Sequence, residues 1–212
     1  MNETWNIAAM EAVWGYVIVK PEDVTSTDAA FKAAREAGVQ FTDRSLMSGM
    51  LKQTEAELVS HGGNAFDQCV DFTPRAGMRV VINKYAGFCM ADNLHRTMTD
   101  SNVLALISEE TVIPLWGNVL IRQDRIEDTD SVVASAKKAG LVITEAGQEG
   151  MQKGQVYGEV LSFGGNAFEE WKGRVPRVGD RVLFAKSSGF ELDKERGRLI
   201  ADTDIMVVLQ RG

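Results

Sequence analysis

The sequence predicts a mostly all-β fold: two tandem small β-barrels, each with a short helical insertion and a long mobile loop. Three observations carry that prediction. Short runs rich in Val, Ile and Leu are separated by glycine turns, the pattern of small barrels and sandwiches. The pentapeptide GGNAF occurs twice, from Gly62 and from Gly164. Sliding the chain by that interval of 102 residues brings most of its length into register without a gap.

The register runs through the whole repeat. "WGYVIVKPEDV" from Trp14 meets "WGNVLIRQDRI" from Trp116, and "REAGVQFTD" from Arg35 meets "KKAGLVITE" from Lys137. "PRAGMRVVINKYAGF" from Pro74 meets "PRVGDRVLFAKSSGF" from Pro176, and "RTMTDSNVLALI" from Arg96 meets "RLIADTDIMVVL" from Arg198. About 27 of about 94 aligned positions are identical. The expected domains are therefore residues 1–107 and 116–212, joined by a linker, "SEETVIPL", over 108–115.

Within each repeat the elements follow in order. "GYVIVK" and "GNVLIR" are β-branched runs and read as strands. "DAAFKAAREAG" and "DSVVASAKKAG" read as helices of two or three turns. Asp28 and Asp130 stand at the N-cap, and Gly38 and Gly140 where a C′ glycine belongs. The stretches after them, "VQFTDRSLMSGMLKQTE" and "LVITEAGQEGMQKGQVY", mix Gly, Gln, Ser and Lys without a clear period and read as long loops. Long loops in compact domains are usually functional. "AELVS" and "GEVLS" are strands that run into GGNAF. "MRVVINK" and "DRVLFAK" are strands introduced by Gly77 and Gly179, and "VLALI" and "IMVVL" close each repeat.

Composition narrows the function. An apolar fraction of 44% is enough to build a core and argues against disorder throughout. A net charge of −7 argues against nucleic-acid binding, since phosphate contacts need Lys and Arg clusters. The densest basic stretch, 174–186, is broken by Asp180. No apolar run approaches the ~18 residues of a membrane span. The start, "MNETWNIAAMEAVW", has neither a basic flank with an apolar core nor the Arg-rich character of a transit peptide. A cytoplasmic protein is expected, and two cysteines, Cys69 and Cys89, fit a reducing compartment.

GGNAF invites a phosphate-loop reading, but no Lys-Ser/Thr follows it, and "GGNAFEEWKG" is not a dinucleotide fingerprint. A turn is the better reading, because Gly and Asn tolerate positive φ. His61, His95, Cys69 and Cys89 match no zinc spacing, and the second repeat has Phe163, Gly197, Trp171 and Glu191 in their places. No metal or other cofactor is expected. G-x-S-x-G, H-E-x-x-H and kinase-type motifs are missing, so the chain is not expected to be an enzyme.

The ordered segments resemble the GroES-type co-chaperonin family. "PLWGNVLIR" from Pro114 resembles its first strand, and "AGLVIT" from Ala139 resembles the Gly-plus-aliphatic tripeptide of its mobile loop. "GEVLSFGGN", "VPRVGDRVLFAKSSGFEL" and "IADTDIMVVL" resemble its later segments, the second being the most specific. The first repeat matches less well, with Met78 where the second has Asp180 and a polar residue in the middle of its tripeptide. The resemblance implies a homo-oligomeric, ring-like lid on a GroEL-type chaperonin, which itself binds the ATP. It implies docking through Leu141, Val142 and Ile143, and through Val39, Gln40 and Phe41. It also implies a roof hairpin at Asp67, Asp71, Glu169, Glu170 and Trp171, with the four carboxylates making its tips acidic. A bacterial or bacteriophage origin is expected, which places the protein in a bacterial or phage-infected cytoplasm. The rival reading is the same fold used as a virion decoration or assembly component. A small-molecule barrel has no pocket signature in its favour.

Overall fold

The computed structural model describes residues 10–23, 29–52, 54–69, 72–92, 94–108, 111–124, 135, 138, 156–186, 188–192 and 197–209. The chain divides into two compact units, Met1–Leu115 and Trp116–Gly212. Each is built mainly on one antiparallel sheet.

In the first unit the strands are β1 (Tyr16–Pro21), β2 (Glu55–His61), β3 (Arg79–Ile82), β4 (Phe88–Cys89), β5 (Arg96–Thr99), β6 (Val103–Ile107) and β7 (Val112–Pro114). Their order in the sheet is β4-β5-β1-β2-β3-β6-β7. The second unit has β8 (Asn118–Gln123), β9 (Tyr157–Phe163), β10 (Arg181–Phe184), β11 (Phe190–Glu191), β12 (Arg198–Ala201) and β13 (Ile205–Leu209), in the order β11-β12-β8-β9-β10-β13. Among the described residues neither sheet pairs its first strand with its last, so the barrels expected from sequence are seen as open sheets. Every strand of the second unit starts 102 residues after its counterpart in the first. The match extends to the bulge in β1 between Ile18 and Val19, which recurs in β8 between Leu120 and Ile121.

Alternation builds the core. Val17, Val19, Leu58, Val80, Ile82 and Met98 are buried in the first unit. Val119, Ile121, Val160, Val182, Phe184 and Ile200 cluster in the second. Two turns need glycine. Gly87 and Gly189 have φ of 72° and 66°, and a Cβ there would collide with the carbonyl oxygens of Thr97 and Leu199.

Two expectations are corrected. The segment 108–115, read as a linker, contributes β7, which pairs antiparallel with β6 through Ala105↔Pro114, Leu106↔Ile113 and Ile107↔Val112. Pro114 is tolerated because it lies at an edge. The loop expected after Phe41 is instead largely helix. Beyond the expected helix α1 (Ala29–Glu36) lies α2 (Asp43–Lys52). Leu46, Met47, Met50 and Leu51 recur at three-and-four spacing, and Thr42 caps the start: the Ser45 N–H donates to Thr42 Oγ1 at 3.3 Å and Ser45 Oγ donates to Thr42 O at 2.8 Å. The N-cap candidates Asp28 and Asp130, Gly140, and residues 141–155 of the second long loop lie outside the described residues, and Tyr157, read as the end of that loop, opens β9.

Candidate functional site

The tripeptide Val39, Gln40 and Phe41 is the connection between α1 and α2. Helix α1 stops in a Schellman motif. Gly38 takes φ 80° at C′ and its N–H donates to Arg35 O at 3.0 Å, while the Val39 N–H donates to Ala34 O at 2.9 Å. Val39 is thus fixed by its backbone while its side chain is 51% exposed. Gln40 is exposed. Phe41 turns back onto Phe31 of α1, ring centroids 4.8 Å apart at 37°. The far end of α2 is tied to the β3–β4 connection, where the Tyr85 N–H donates to Leu51 O at 2.8 Å. The apolar side chains of this tripeptide are therefore presented unequally, Val39 outward and Phe41 against α1. Leu141, Val142 and Ile143 lie outside the described residues.

The residues expected at a roof hairpin form turns instead. Among the described residues no strand lies between β2 and β3 or between β9 and β10. The chain there is held by i→i+3 bonds: Ala65 N–H to Gly62 O at 3.1 Å and Cys69 N–H to Phe66 O at 2.8 Å. In the second unit the Ala167 N–H donates to Gly164 O at 2.9 Å and the Trp171 N–H to Phe168 O at 3.0 Å. Asp67, Glu169 and Glu170 are exposed, and Glu169 accepts from Asn166 Nδ2 at 3.2 Å. Trp171 is not a tip residue: it packs on the core with its ring edge-on to Phe168, centroids 5.0 Å apart. Asp71 lies outside the described residues.

No family model matches the chain. The co-chaperonin GroES of Maricaulis maris is 33% identical over 104 residues, which is 47% of this chain and 98% of that protein. The co-chaperonin GroES of Methylorubrum populi is 35% identical over 102 residues, 45% of this chain and 94% of that protein. Co-chaperonin GroES 5 of Rhizobium meliloti is 32% identical over 103 residues, 46% of this chain and 88% of that protein. The chain belongs to the GroES co-chaperonin family. It is about twice the length of a GroES relative, and each of its two units is close to one relative in size.

Within this GroES-family chain, two pairs of residues that sequence reasoning passed over hold the site's scaffold. Asp100 Oδ2 accepts the Phe66 N–H at 2.7 Å, and Asp202 Oδ2 accepts the Phe168 N–H at 2.6 Å. Phe66 and Phe168 are buried with φ of 66° and 67°, a conformation a bulky residue adopts only when its surroundings hold it there. Each GGNAF segment thus ends in a left-handed Phe clamped by an aspartate from the turn before β6 or β13. The other pair is Arg96 and Arg198, both buried. Arg96 Nη2 donates to Ala86 O, and Arg198 Nε donates to Ser188 O at 2.7 Å. Burial pulls both guanidinium groups below their ordinary pKa, opposed for Arg96 by Cys89 and for Arg198 by Glu191 and Asp204. All four residues are identical across the 102-residue interval, which is the signal that marks them.

The remaining candidates are dispersed. His61 stacks edge-on to Phe66 at 6.0 Å, His95 Nδ1 pairs with Asp92 Oδ2, and Cys69 and Cys89 are thiols. Among the described residues no group of three or more His, Cys, Asp and Glu is placed to hold a metal. No helix among them is long and apolar enough to cross a membrane.

Proposed function

We propose that this chain is a co-chaperonin with two tandem GroES-type barrels that caps a GroEL-type chaperonin ring and assists ATP-dependent folding, the ATP being bound by the partner. The observation that carries the proposal is the match to relatives named co-chaperonin GroES over nearly their whole length. The common spacing of elements in the two units supports a duplicated barrel.

Docking uses Leu141, Val142 and Ile143 from the second unit, and Val39 and Phe41 from the first with Gln40 between them. Burying each apolar side chain contributes roughly 1.5–3 kcal/mol before ordering costs. In the first unit Phe41 leaves Phe31, which offsets that gain by about 0.5–1.5 kcal/mol. Individually weak contacts on one ring add through avidity, giving a lid that holds and releases. Asp67, Glu169 and Glu170 give the turns after GGNAF an acidic, exposed surface. The protein acts without a cofactor or chemistry of its own, in a bacterial or phage-infected cytoplasm.

The test is native mass spectrometry with a GroEL-type chaperonin, with and without ATP, alongside refolding of a chaperonin-dependent substrate. A nucleotide-dependent complex is expected. It is weakened more by serine at Leu141, Val142 and Ile143 than by serine at Val39 and Phe41. Free protein is cleaved near 147–155 and protected in the complex. No complex and no protection would sink the proposal. One observation favours a second reading, a virion structural component: the first tripeptide is the connection between two helices. A particle without ring symmetry that ignores chaperonin supports that rival.

A further inference from the structure

The segment that carries α1, Val39–Phe41 and α2 leaves the first sheet after Pro21, the end of β1, and returns at Glu55, the start of β2. Its two ends meet. Pro21 lies opposite Ala56 in the ladder, and one step further the Glu22 N–H donates to Glu55 O at 3.1 Å. Arg79, the first residue of β3, reaches across this neck. Its Nη2 donates to Glu22 Oε1 at 2.6 Å and to Glu55 Oε2 at 2.7 Å, so one guanidinium nitrogen bridges a carboxylate from each end of the segment. The residue directly opposite Arg79 in the ladder is Glu57, yet these bonds run to Glu55 and Glu22, so the side chain is aimed along the sheet at the neck.

The second unit repeats the device in reduced form. The Asp124 N–H donates to Tyr157 O at 3.0 Å, and Arg181 Nη2 pairs with Asp124 Oδ2. Arginine stands at both 79 and 181, and Asp124 keeps the acid of Glu22, but Tyr157 brings no carboxylate where the first unit has Glu55. Among the described residues only the first unit ties both ends of its segment to one cation. A second attachment holds the far end of α2. Leu51 O is a last-turn carbonyl that the helix itself leaves without a donor, and the Tyr85 N–H supplies one at 2.8 Å. Tyr85 has φ 60°, a setting a bulky residue keeps only when its surroundings hold it.

We propose that Arg79 is a positioning residue: by bridging Glu22 and Glu55 it fixes the direction in which α1 and α2 leave the sheet, and so where Val39 is presented to a partner. The docking role rests on the co-chaperonin reading; the fastening of the neck does not. A fixed neck restricts the segment before it binds, which lowers the ordering cost of docking. All three side chains are partly exposed, so the bridge adds little to the stability of the sheet. That separates positioning from a structural role. Loss of the bridge loosens the segment and leaves the fold intact.

The test compares the full wild-type chain with Arg79→Gln, first by amide hydrogen exchange in the free protein. The Glu22 and Tyr85 amides are expected to exchange roughly two- to fivefold faster in the variant. The Leu58 amide, bonded to Met78 O at 2.8 Å within the sheet, and the urea midpoint are expected to stay at wild-type values. ATP-dependent binding to a GroEL-type chaperonin weakens by a similar factor, and Arg79→Gln weakens it no further in a chain that already carries Glu22→Gln and Glu55→Gln. Four results overturn the proposal: unchanged exchange at Glu22 and Tyr85, a urea midpoint that falls with it, a wild-type affinity in Arg79→Gln, or an affinity loss that adds in full to that of the double glutamine variant. If wild type itself makes no complex, the co-chaperonin reading falls, and the exchange comparison alone decides whether Arg79 holds the neck.

Discussion

Asp202→Ala removes the acceptor that holds Phe168 in the left-handed region. The Phe168 N–H donates to the Asp202 carboxylate at 2.6 Å, and the ring is buried against Trp171 and Phe163. A hydrogen bond to a charged group contributes about 1.5–3 kcal/mol, and loss of one partner also strands a part-buried donor. The positive φ adds strain of order 1 kcal/mol that nothing then holds in place. The expected loss is about 2–3 kcal/mol in the second unit, while Asp202→Asn, which keeps an oxygen acceptor, loses roughly half as much. Urea unfolding followed by the fluorescence of Trp171, which packs edge-on to Phe168, reads the change directly. A loss below about 0.5 kcal/mol for alanine, or equal losses for alanine and asparagine, refutes the clamp as a charge-assisted bond.

Two further predictions concern turns. Asp180 Oδ2 accepts the Arg177 N–H at 3.1 Å, whereas the matching Arg75 N–H meets only Met78 Sδ at 3.4 Å; Met78→Asp should stabilise the first unit by about 1 kcal/mol and Asp180→Ala destabilise the second by about as much, both read from urea midpoints. For Asp92, burial pushes the carboxyl pKa up, but hydrogen bonds from His95 and Leu94 outweigh it and hold the group below its ordinary value. A depressed folded pKa means the contribution is complete above the unfolded value of about 4 and is lost as pH falls through the folded one. Wild type should therefore lose more stability than Asp92→Asn between about pH 4 and pH 2, and parallel curves for the two would refute it.

The strands were legible because β-branched runs bounded by Gly and Pro announce themselves locally. Helix α2 was not, because Ser45, Ser48 and Gly49 dilute its apolar spacing, and the decisive Thr42 cap is a single residue read as part of a loop. Strand β7 is three residues long and ends in proline, too short to show alternation. Its role depends on the partner strand β6, which no local pattern reveals. The same limit hid Asp100 and Arg96. Each is a charged residue that reads as solvent-facing until sheet order places it beside Phe66 or against the β3–β4 connection. Of the candidate site, the tripeptide at Val39 was found by its position after Gly38, but its capture by Phe31 is a tertiary contact.

What the two units share and what they vary follow from different physics. The shared residues serve backbone geometry: a left-handed Phe needs Asp100 or Asp202, and a tight turn needs Gly87 or Gly189. Residues that only pack are free to change. His61 and Phe163 both stack edge-on at 72° on the clamped Phe, so any flat ring serves there. The buried arginine is the sharper case. Across the ladder Arg198 faces Glu191, while Arg96 faces Cys89, whose pKa burial raises more than Arg96 lowers it, keeping the thiol neutral. A carboxylate opposite is therefore not what the fold requires of that position. The common element is the carbonyl at 86 and 188, since a guanidinium donating to it fastens the β3–β4 and β10–β11 connections whatever charge lies across the strand.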